Sequence, residues 1–225
     1  MGYRTFSDNT TLEEACDAAE FTAAALEAYP DETVRSLGKL LVPLLDQCDA
    51  MLAEGWRARR QVVRSNARVR TGDTVADEEL HMLVKDLLAV VREDREAPLF
   101  KAFFPIPPSA VIELSLEPEL EEIERIQGVL AMPSTPESLR QVWSTRLEGV
   151  ARRGLSALAE RRVAIAVLAE STVSASRWIE RIDRARRLIH GGLTTYAADK
   201  DLPPDFGDRF FSAPLPSKKR SEQET

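Results

Sequence analysis

Hydrophobic residues recur three or four positions apart along almost the whole chain, which is the spacing that places them on one face of an α-helix. No long patterned segment alternates polar and apolar residues as a half-buried strand does. The pattern therefore predicts an all-α protein with well over half of its residues in helix and essentially no strand. In the first segment the apolar positions are Leu12, Ala15, Ala19, Ala23 and Leu26.

Capping residues and prolines predict where the first helices begin and end. Thr10 or Thr11, followed by Glu13 or Glu14, makes a capping-box pattern at the start of the first helix, and Pro30 ends it. A second helix is predicted over residues 31–70.

The second helix is expected to be interrupted. Its apolar positions follow a seven-residue repeat of the coiled-coil kind, but Pro43 lies inside it. Because proline removes a backbone hydrogen bond and clashes with the preceding turn, we expect a kink or short break near residues 39–42. Thr71-Gly72-Asp73 then predicts a turn, and a third helix runs from there towards Pro98.

The second half of the chain allows two interpretations. A helix is predicted over about residues 118–131, and Thr135 before Pro136 starts the next one. Apolar positions spaced by sevens, with no proline up to His190, favour a single helix of about 55 residues. The alternative, which we favour because of the repeat described next, is a turn at residues 171–176. Gly191-Gly192 is expected to end the last long helix.

The chain resembles itself at an offset of about 105 residues. Thr11-Leu12-Glu13-Glu14 recurs as Glu119-Leu120-Glu121-Glu122, and Phe103-Phe104 with prolines behind it recurs as Phe210-Phe211. Two Arg- and Leu-rich helical stretches can also be aligned by chance. We favour a duplication, which predicts an elongated antiparallel helical bundle of two pseudo-repeated three-helix units, residues 10–109 and 110–217, packed on one another. Residues 1–9 are expected to be flexible, and residues 218–225 to form a disordered tail.

The amino-acid composition restricts the classes of protein to which this chain can belong. The chain has 225 residues, 30% of them charged and only 6% aromatic, a mix that favours long amphipathic helices. No run approaches the ~20 apolar residues of a membrane helix, and the first residues do not resemble a secretory signal. The only cysteines, Cys16 and Cys48, are too few for a disulfide framework or a zinc cluster. We therefore expect a cytoplasmic protein. Its net charge of −7 disfavours general binding to nucleic acid, although a local basic face remains compatible with it.

Motifs for catalysis, cofactors and metals are weak. Glu78-x-x-His81 occurs once, whereas a di-iron bundle needs two such motifs and two further glutamates. Arg184 and His190 have the Arg-x(4–6)-His spacing and so resemble the signature of HEPN-type all-helical ribonucleases. That resemblance, which covers these two residues, implies an arginine that stabilises phosphate charge and a histidine that moves a proton. We assign no catalytic residue, cofactor or metal site from the sequence, and expect a protein that is not an enzyme.

Arginines form two stripes at helical spacing. The first lies between residues 57 and 70, where no acidic residue occurs, and Trp56 stands beside it. The second contains Trp178. Each stripe fits an anion-binding surface for nucleic acid or a lipid headgroup. We favour pairing with acidic groups of the same chain or a neighbouring subunit, because an acidic helix at residues 117–124 could neutralise such a face. The stripes are Arg57, Arg60, Arg64 and Arg68, and Arg177, Arg181, Arg184 and Arg187.

Six of the eight phenylalanines form two clusters in proline-bounded segments. They either cover the apolar ends of the bundle, which we favour, or form a partner-binding patch. The clusters are Phe100, Phe103 and Phe104, and Phe206, Phe210 and Phe211.

Three functions follow, in order of preference. The first is a non-catalytic helical scaffold or adaptor that binds a protein partner, including a second copy of itself as a homo-oligomer. The second is an anion-binding module that uses the Arg57–Arg70 helix face. The third is a HEPN-like ribonuclease that uses Arg184 and His190.

Overall fold

A computed structural model describes Tyr3, residues 5–7 and residues 9–211; the predicted tail, residues 218–225, lies outside the described residues. The described part of the chain is 80% helical and contains no strand, so the all-α prediction is confirmed. The helices are α1 (Leu12–Glu27), α2 (Glu32–Leu37), α3 (Val42–Leu45), α4 (Cys48–Val90), α5 (Pro98–Phe103), α6 (Pro108–Ile112), α7 (Leu116–Leu130) and α8 (Glu137–Asp199), with 3-10 turns at Gly38–Leu40 and Gly207–Phe210.

The predicted start of the first helix and the break near Pro43 are confirmed. The Thr11 side chain accepts from the Glu14 amide and the Glu14 carboxylate accepts from the Thr11 amide, which completes the capping box of α1. Pro43 lies in the first turn of α3, where its missing amide costs no helical hydrogen bond. The segment before α4 is therefore three short pieces instead of one kinked helix.

Two predicted turns and one predicted helix end are wrong. Helix α4 continues through residues 71–73, and α8 continues through residues 171–176 and Gly191-Gly192 as a single helix of 63 residues. The two predicted three-helix units depend on those turns, so the helix boundaries predicted within them are wrong. The duplication itself stays a prediction.

Tertiary packing and local hydrogen bonds explain why these turn signals fail. A Cβ at position 72 would lie 3.3 Å from the Leu116 side chain, so the glycine allows a close approach within an unbroken helix. The Ser176 hydroxyl donates to the Thr172 carbonyl oxygen, and the Thr194 hydroxyl donates to the His190 carbonyl oxygen. The hydroxyls of Ser176 and Thr194 thus form hydrogen bonds to the preceding helical turn, and they do not interrupt the helix.

The residues form two compact units. Unit 1 consists of the described residues up to Arg57 and those from Ala169 onwards, and unit 2 of Ala58–Leu168. This grouping differs from the division at residues 109 and 110 that the repeat suggested. Both long helices contribute to both units.

The core of unit 1 is built from α1, the short pieces after it, the last part of α8 and the second phenylalanine cluster. Phe206, Phe210 and Phe211 are all buried in it. Trp178 is also buried, and its Nε1 donates to the Leu44 carbonyl oxygen at 3.3 Å. The described part of the N-terminal segment, which we expected to be flexible, packs here: the Phe6 amide donates to Asp183 at 3.1 Å.

The core of unit 2 is built from the last part of α4, α5 to α7 and the first part of α8. Phe100, Phe103 and Phe104 are buried in it, as is Trp143. Within this unit α4 and α8 run antiparallel, because Trp143 lies against Asp86 whereas Glu160 pairs with Arg68. All six clustered phenylalanines are therefore core residues and none contributes to an exposed patch.

A disulfide between Cys16 of α1 and Cys48 at the start of α4 lies inside the core of unit 1. The sequence did not indicate this pair, because two cysteines 32 residues apart carry no spacing signature.

Removing the disulfide should destabilise unit 1. A closed loop of this size contributes about 3–4 kcal/mol in the chain-entropy model. We expect the double variant Cys16→Ala, Cys48→Ala to lose free energy of unfolding on this scale in urea melts without reductant. With reductant present, the difference should shrink to the packing cost of replacing two buried thiols; a difference of the same size with and without reductant would mean that the bond is not formed in solution.

Candidate functional site: a basic groove in unit 2

Unit 2 carries a concentration of positive charge on the parts of α4 and α8 that lie side by side. Residues 58–72 and 149–168 contain nine arginines and a single acidic residue, Glu160, although the whole chain has a net charge of −7. We call these two ranges the basic segment. Its arginines are Arg59, Arg60, Arg64, Arg68, Arg70, Arg152, Arg153, Arg161 and Arg162.

Small residues explain why these arginines point outwards. Ala58 and Ser65 of α4 and Ala164 of α8 are buried, and the backbones approach closely at Gly72, where a Cβ would lie 3.9 Å from Gly154 Cα. The larger polar side chains consequently occupy the solvent-facing positions. This part of the unit adds few residues to the apolar core.

An open groove lies between the two helices of the basic segment. It consists of two adjoining cavities of about 400 Å³ and about 480 Å³ that share Arg68, Ser156 and Glu160. We call it the basic groove. Its charged lining residues are Arg64, Arg68, Arg153 and Glu160, and its apolar ones include Ala67, Val75, Val150, Ala157, Ala159, Val163 and Ala164.

Most arginines of the basic segment lack an acidic partner. Arg68 pairs with Glu160, and Arg162 pairs with Glu117 of α7. The other seven form no ion pair with any described residue. The acidic helix that the sequence suggested as their partner supplies only Glu117 to the basic segment among the ion pairs of the described residues, whereas its Glu122 pairs with Arg125 of the same helix. The groove therefore offers uncompensated positive charge to solvent.

Apolar side chains are also exposed along the basic segment. Val163, which lines it, is 63% exposed, and Val63 of α4 is 68% exposed. Leu155, Ile165 and Val167 are exposed on the same stretch of α8. A helix that presents apolar residues beyond its core-facing stripe has more apolar surface than its own unit covers.

The remaining residues of the predicted stripes lie in unit 1. Trp56 is 59% exposed, and the Arg57 guanidinium donates to the Ala53 carbonyl oxygen of its own helix. Arg177, Arg181 and Arg184 are exposed on α8, while Arg187 pairs with Asp183 at 3.2 Å.

The structure does not bring Arg184 together with His190. Six residues apart on a helix, they lie on different faces, and Arg184 is exposed. His190 Nε2 lies 3.0 Å from Asp208 Oδ1, and its ring stacks on Tyr3 at 4.7 Å. These contacts hold the imidazole in the packing of unit 1.

Arg186 is a residue that sequence reasoning missed. It is buried, with its guanidinium 4.5 Å from the ring centre of Phe6 and 5.3 Å from that of Phe211. Burial lowers the pKa of Arg186. Its cation–π contacts anchor the N-terminal segment in unit 1.

A second missed feature is a buried carboxyl group in unit 2, with two half-buried carboxylates near it. Glu119 of α7 is fully buried, and neither of its oxygens has a well-formed hydrogen bond to a described residue. Burial, reinforced by the nearby carboxylates of Asp77 and Asp73, raises the pKa of Glu119 to about 8. Burial also raises the pKa of Asp73. No three His, Cys, Asp or Glu side chains in the described ranges are placed to hold a metal ion.

Comparison with models of known protein families, with curated proteins and with solved structures returns no match. Among the helices described, none combines the length and the apolar character needed to cross a membrane.

Proposed function

We propose that this chain is a non-catalytic helical adaptor that binds protein through the basic groove of unit 2. The observation that carries the proposal is an apolar-lined groove edged by arginines, of which Arg64 and Arg153 have no acidic partner among the described residues. Protein interfaces have this composition: an apolar centre, a polar rim and an enrichment in arginine. The fitting partner is a helix with small apolar residues and carboxylates on one face.

An anion-binding module is the rival function, and the one-signed charge of the basic segment supports it. Phosphate groups gain nothing from an apolar lining, however. Val163 and Ala159 therefore favour a protein partner over nucleic acid. An uncharged polar substitution at Val163 distinguishes the two functions, because it should weaken binding of protein and not of nucleic acid.

The test compares two labelled ligands, an amphipathic helical peptide with glutamates on one face and a short DNA duplex, by fluorescence anisotropy at low and high salt. The variant Arg64→Gln, Arg153→Gln should lose about two- to thirtyfold in peptide affinity, since each of the two rim pairs contributes about 0.2–1 kcal/mol. The matched control Arg177→Gln, Arg181→Gln changes two exposed arginines of unit 1 and should leave peptide affinity unchanged.

Val163→Ser then decides between the functions. This side chain is largely exposed, so its loss should leave the fold intact, weaken the peptide complex and leave any DNA complex unaffected. DNA binding that is tighter than peptide binding, insensitive to Val163→Ser and steeply dependent on salt would refute the adaptor function in favour of anion binding.

A further inference from the structure

Helix α1 of unit 1 presents an acidic face to solvent. Its exposed positions repeat at four and three residues, which places them on one stripe. No carboxylate of this stripe forms an ion pair with a described residue. Phe21, 47% exposed, lies next to it. We call this surface the acidic face of α1: Glu13, Asp17, Glu20, Ala24 and Glu27.

The acidic face of α1 and the basic groove match in length and in charge. The stripe from Glu13 to Glu27 is about 21 Å long at 1.5 Å per residue. The part of α4 that lines the groove, from Gln61 to Val75, is about 21 Å long by the same measure. One surface carries carboxylates without partners, and the other carries Arg64 and Arg153 without partners.

The apolar parts of the two surfaces are also complementary. Ala24 lies within the acidic stripe, and the groove is lined by Ala67, Ala157 and Ala159, so two helices can approach closely there. Phe21 and Val163 are each too exposed to be core residues of their own unit. Each supplies apolar area that an intermolecular contact would bury.

We infer that the basic groove of one copy of this chain receives the acidic face of α1 from a second copy, so that the chain self-associates. This inference rests on the proposed adaptor function, because it uses the same groove, and it names the partner. Self-association through two different surfaces is heterologous, and it yields a closed ring or an open filament according to the rotation between copies.

The experiment uses the full-length protein and two charge reversals. Arg64→Glu with Arg153→Glu makes the groove acidic, and Glu20→Arg with Glu27→Arg makes the α1 face basic. Sedimentation velocity over a range of concentrations should show salt-sensitive association of the parent chain. Each variant alone should associate at least about tenfold more weakly, because like charges then face each other.

Mixing the two variants provides the decisive measurement. The acidic groove of one variant then meets the basic α1 of the other, and the two unchanged surfaces match as well, so association should return in the mixture alone. Glu121→Arg with Glu124→Arg is the matched control: it makes the same charge change at exposed positions of α7 and should associate like the parent. Circular dichroism of every variant checks that the helices are retained.

Several outcomes would overturn the inference. These are a parent chain that stays monomeric, an equal loss in the α7 control, or a mixture that does not associate. If the parent is monomeric but its groove binds the acidic helical peptide, the adaptor function stands and only self-association fails. If the parent neither self-associates nor binds the peptide, both the inference and the adaptor function fail. Assembly only on a DNA duplex would favour the rival anion-binding function.

Discussion

Replacing Trp143 by alanine lowers the free energy of unfolding of unit 2 by about 3–5 kcal/mol, the usual cost of deleting a large buried aromatic side chain. The indole is fully buried in the core. Its Nε1 donates to Asp86 Oδ2 at 3.1 Å, and the Arg146 guanidinium stacks over the ring at 4.4 Å. The substitution removes the ring contacts and leaves a cavity between α4 and α8 within the unit.

Urea unfolding followed by circular dichroism at 222 nm measures this loss. Trp56→Ala is the matched control, because that indole is mostly exposed and its removal should change stability by no more than about 0.5 kcal/mol. Trp143→Phe should fall between the two, since it keeps most of the ring volume. Equal losses at positions 56 and 143 would show that Trp143 does not fill the core of unit 2 as described.

Unit 2 should become less stable as the pH rises from acidic to mildly alkaline values, because of Glu119. The pKa of this carboxyl is about 8 in the folded unit, compared with 4.5 for an unperturbed glutamate as in the unfolded chain. The folded unit therefore favours the neutral acid. Its contribution to stability is present in full below the unfolded pKa. It then declines by about 1.4 kcal/mol per pH unit and is fully lost once the pH exceeds the folded pKa.

The variant Glu119→Gln keeps the shape of the side chain and removes its ability to ionise. We expect the variant to gain stability relative to the parent by several kcal/mol between about pH 5 and about pH 8, as the parent loses its contribution. The gain should appear in urea melts as a pH-dependent difference, since other titrating groups cancel in the comparison. Glu121→Gln, two residues away and exposed, should follow the parent at every pH. A difference between Glu119→Gln and the parent that does not vary with pH would contradict a raised pKa.

Spacing and capping were sufficient to predict the all-α class and the start of α1, and they failed where packing or local hydrogen bonds decide whether a helix continues. Gly72 was interpreted as part of a turn because glycine is common in turns and costs a helix about 1 kcal/mol. In the fold it remains helical next to Leu116, a contact between residues far apart in the chain. At residues 171–176 the cause is local, since the Ser176 hydroxyl donates to the Thr172 carbonyl oxygen of its own helix.

One side of the basic groove was visible in the sequence as Arg64 and Arg68. The other side, with Arg153 and Ala157, belongs to α8 and faces the first only because the helices are antiparallel with one particular register. A single sequence does not contain that register. The arginines on α4 could therefore be predicted from the sequence, and the groove between α4 and α8 could not.

Glu119 was grouped with the exposed glutamates of an acidic helix, although a usable signal existed. It lies three residues after Leu116 and four before Ile123, and both of these are buried on the core-facing side of α7. Helical spacing alone therefore places its carboxyl in the apolar stripe. A glutamate in such a position indicates a perturbed group.

The discontinuity of unit 1 also determines the order in which the protein can fold on the ribosome. Unit 2 is one continuous stretch, whereas unit 1 needs residues from both ends of the chain. At about 5–20 residues per second, synthesis of the intervening stretch takes on the order of ten seconds. During that interval α1 has emerged without Trp178 and the second phenylalanine cluster, which complete its core. The earliest helix to be made thus lacks the rest of its core until translation has passed the second phenylalanine cluster, which follows α8.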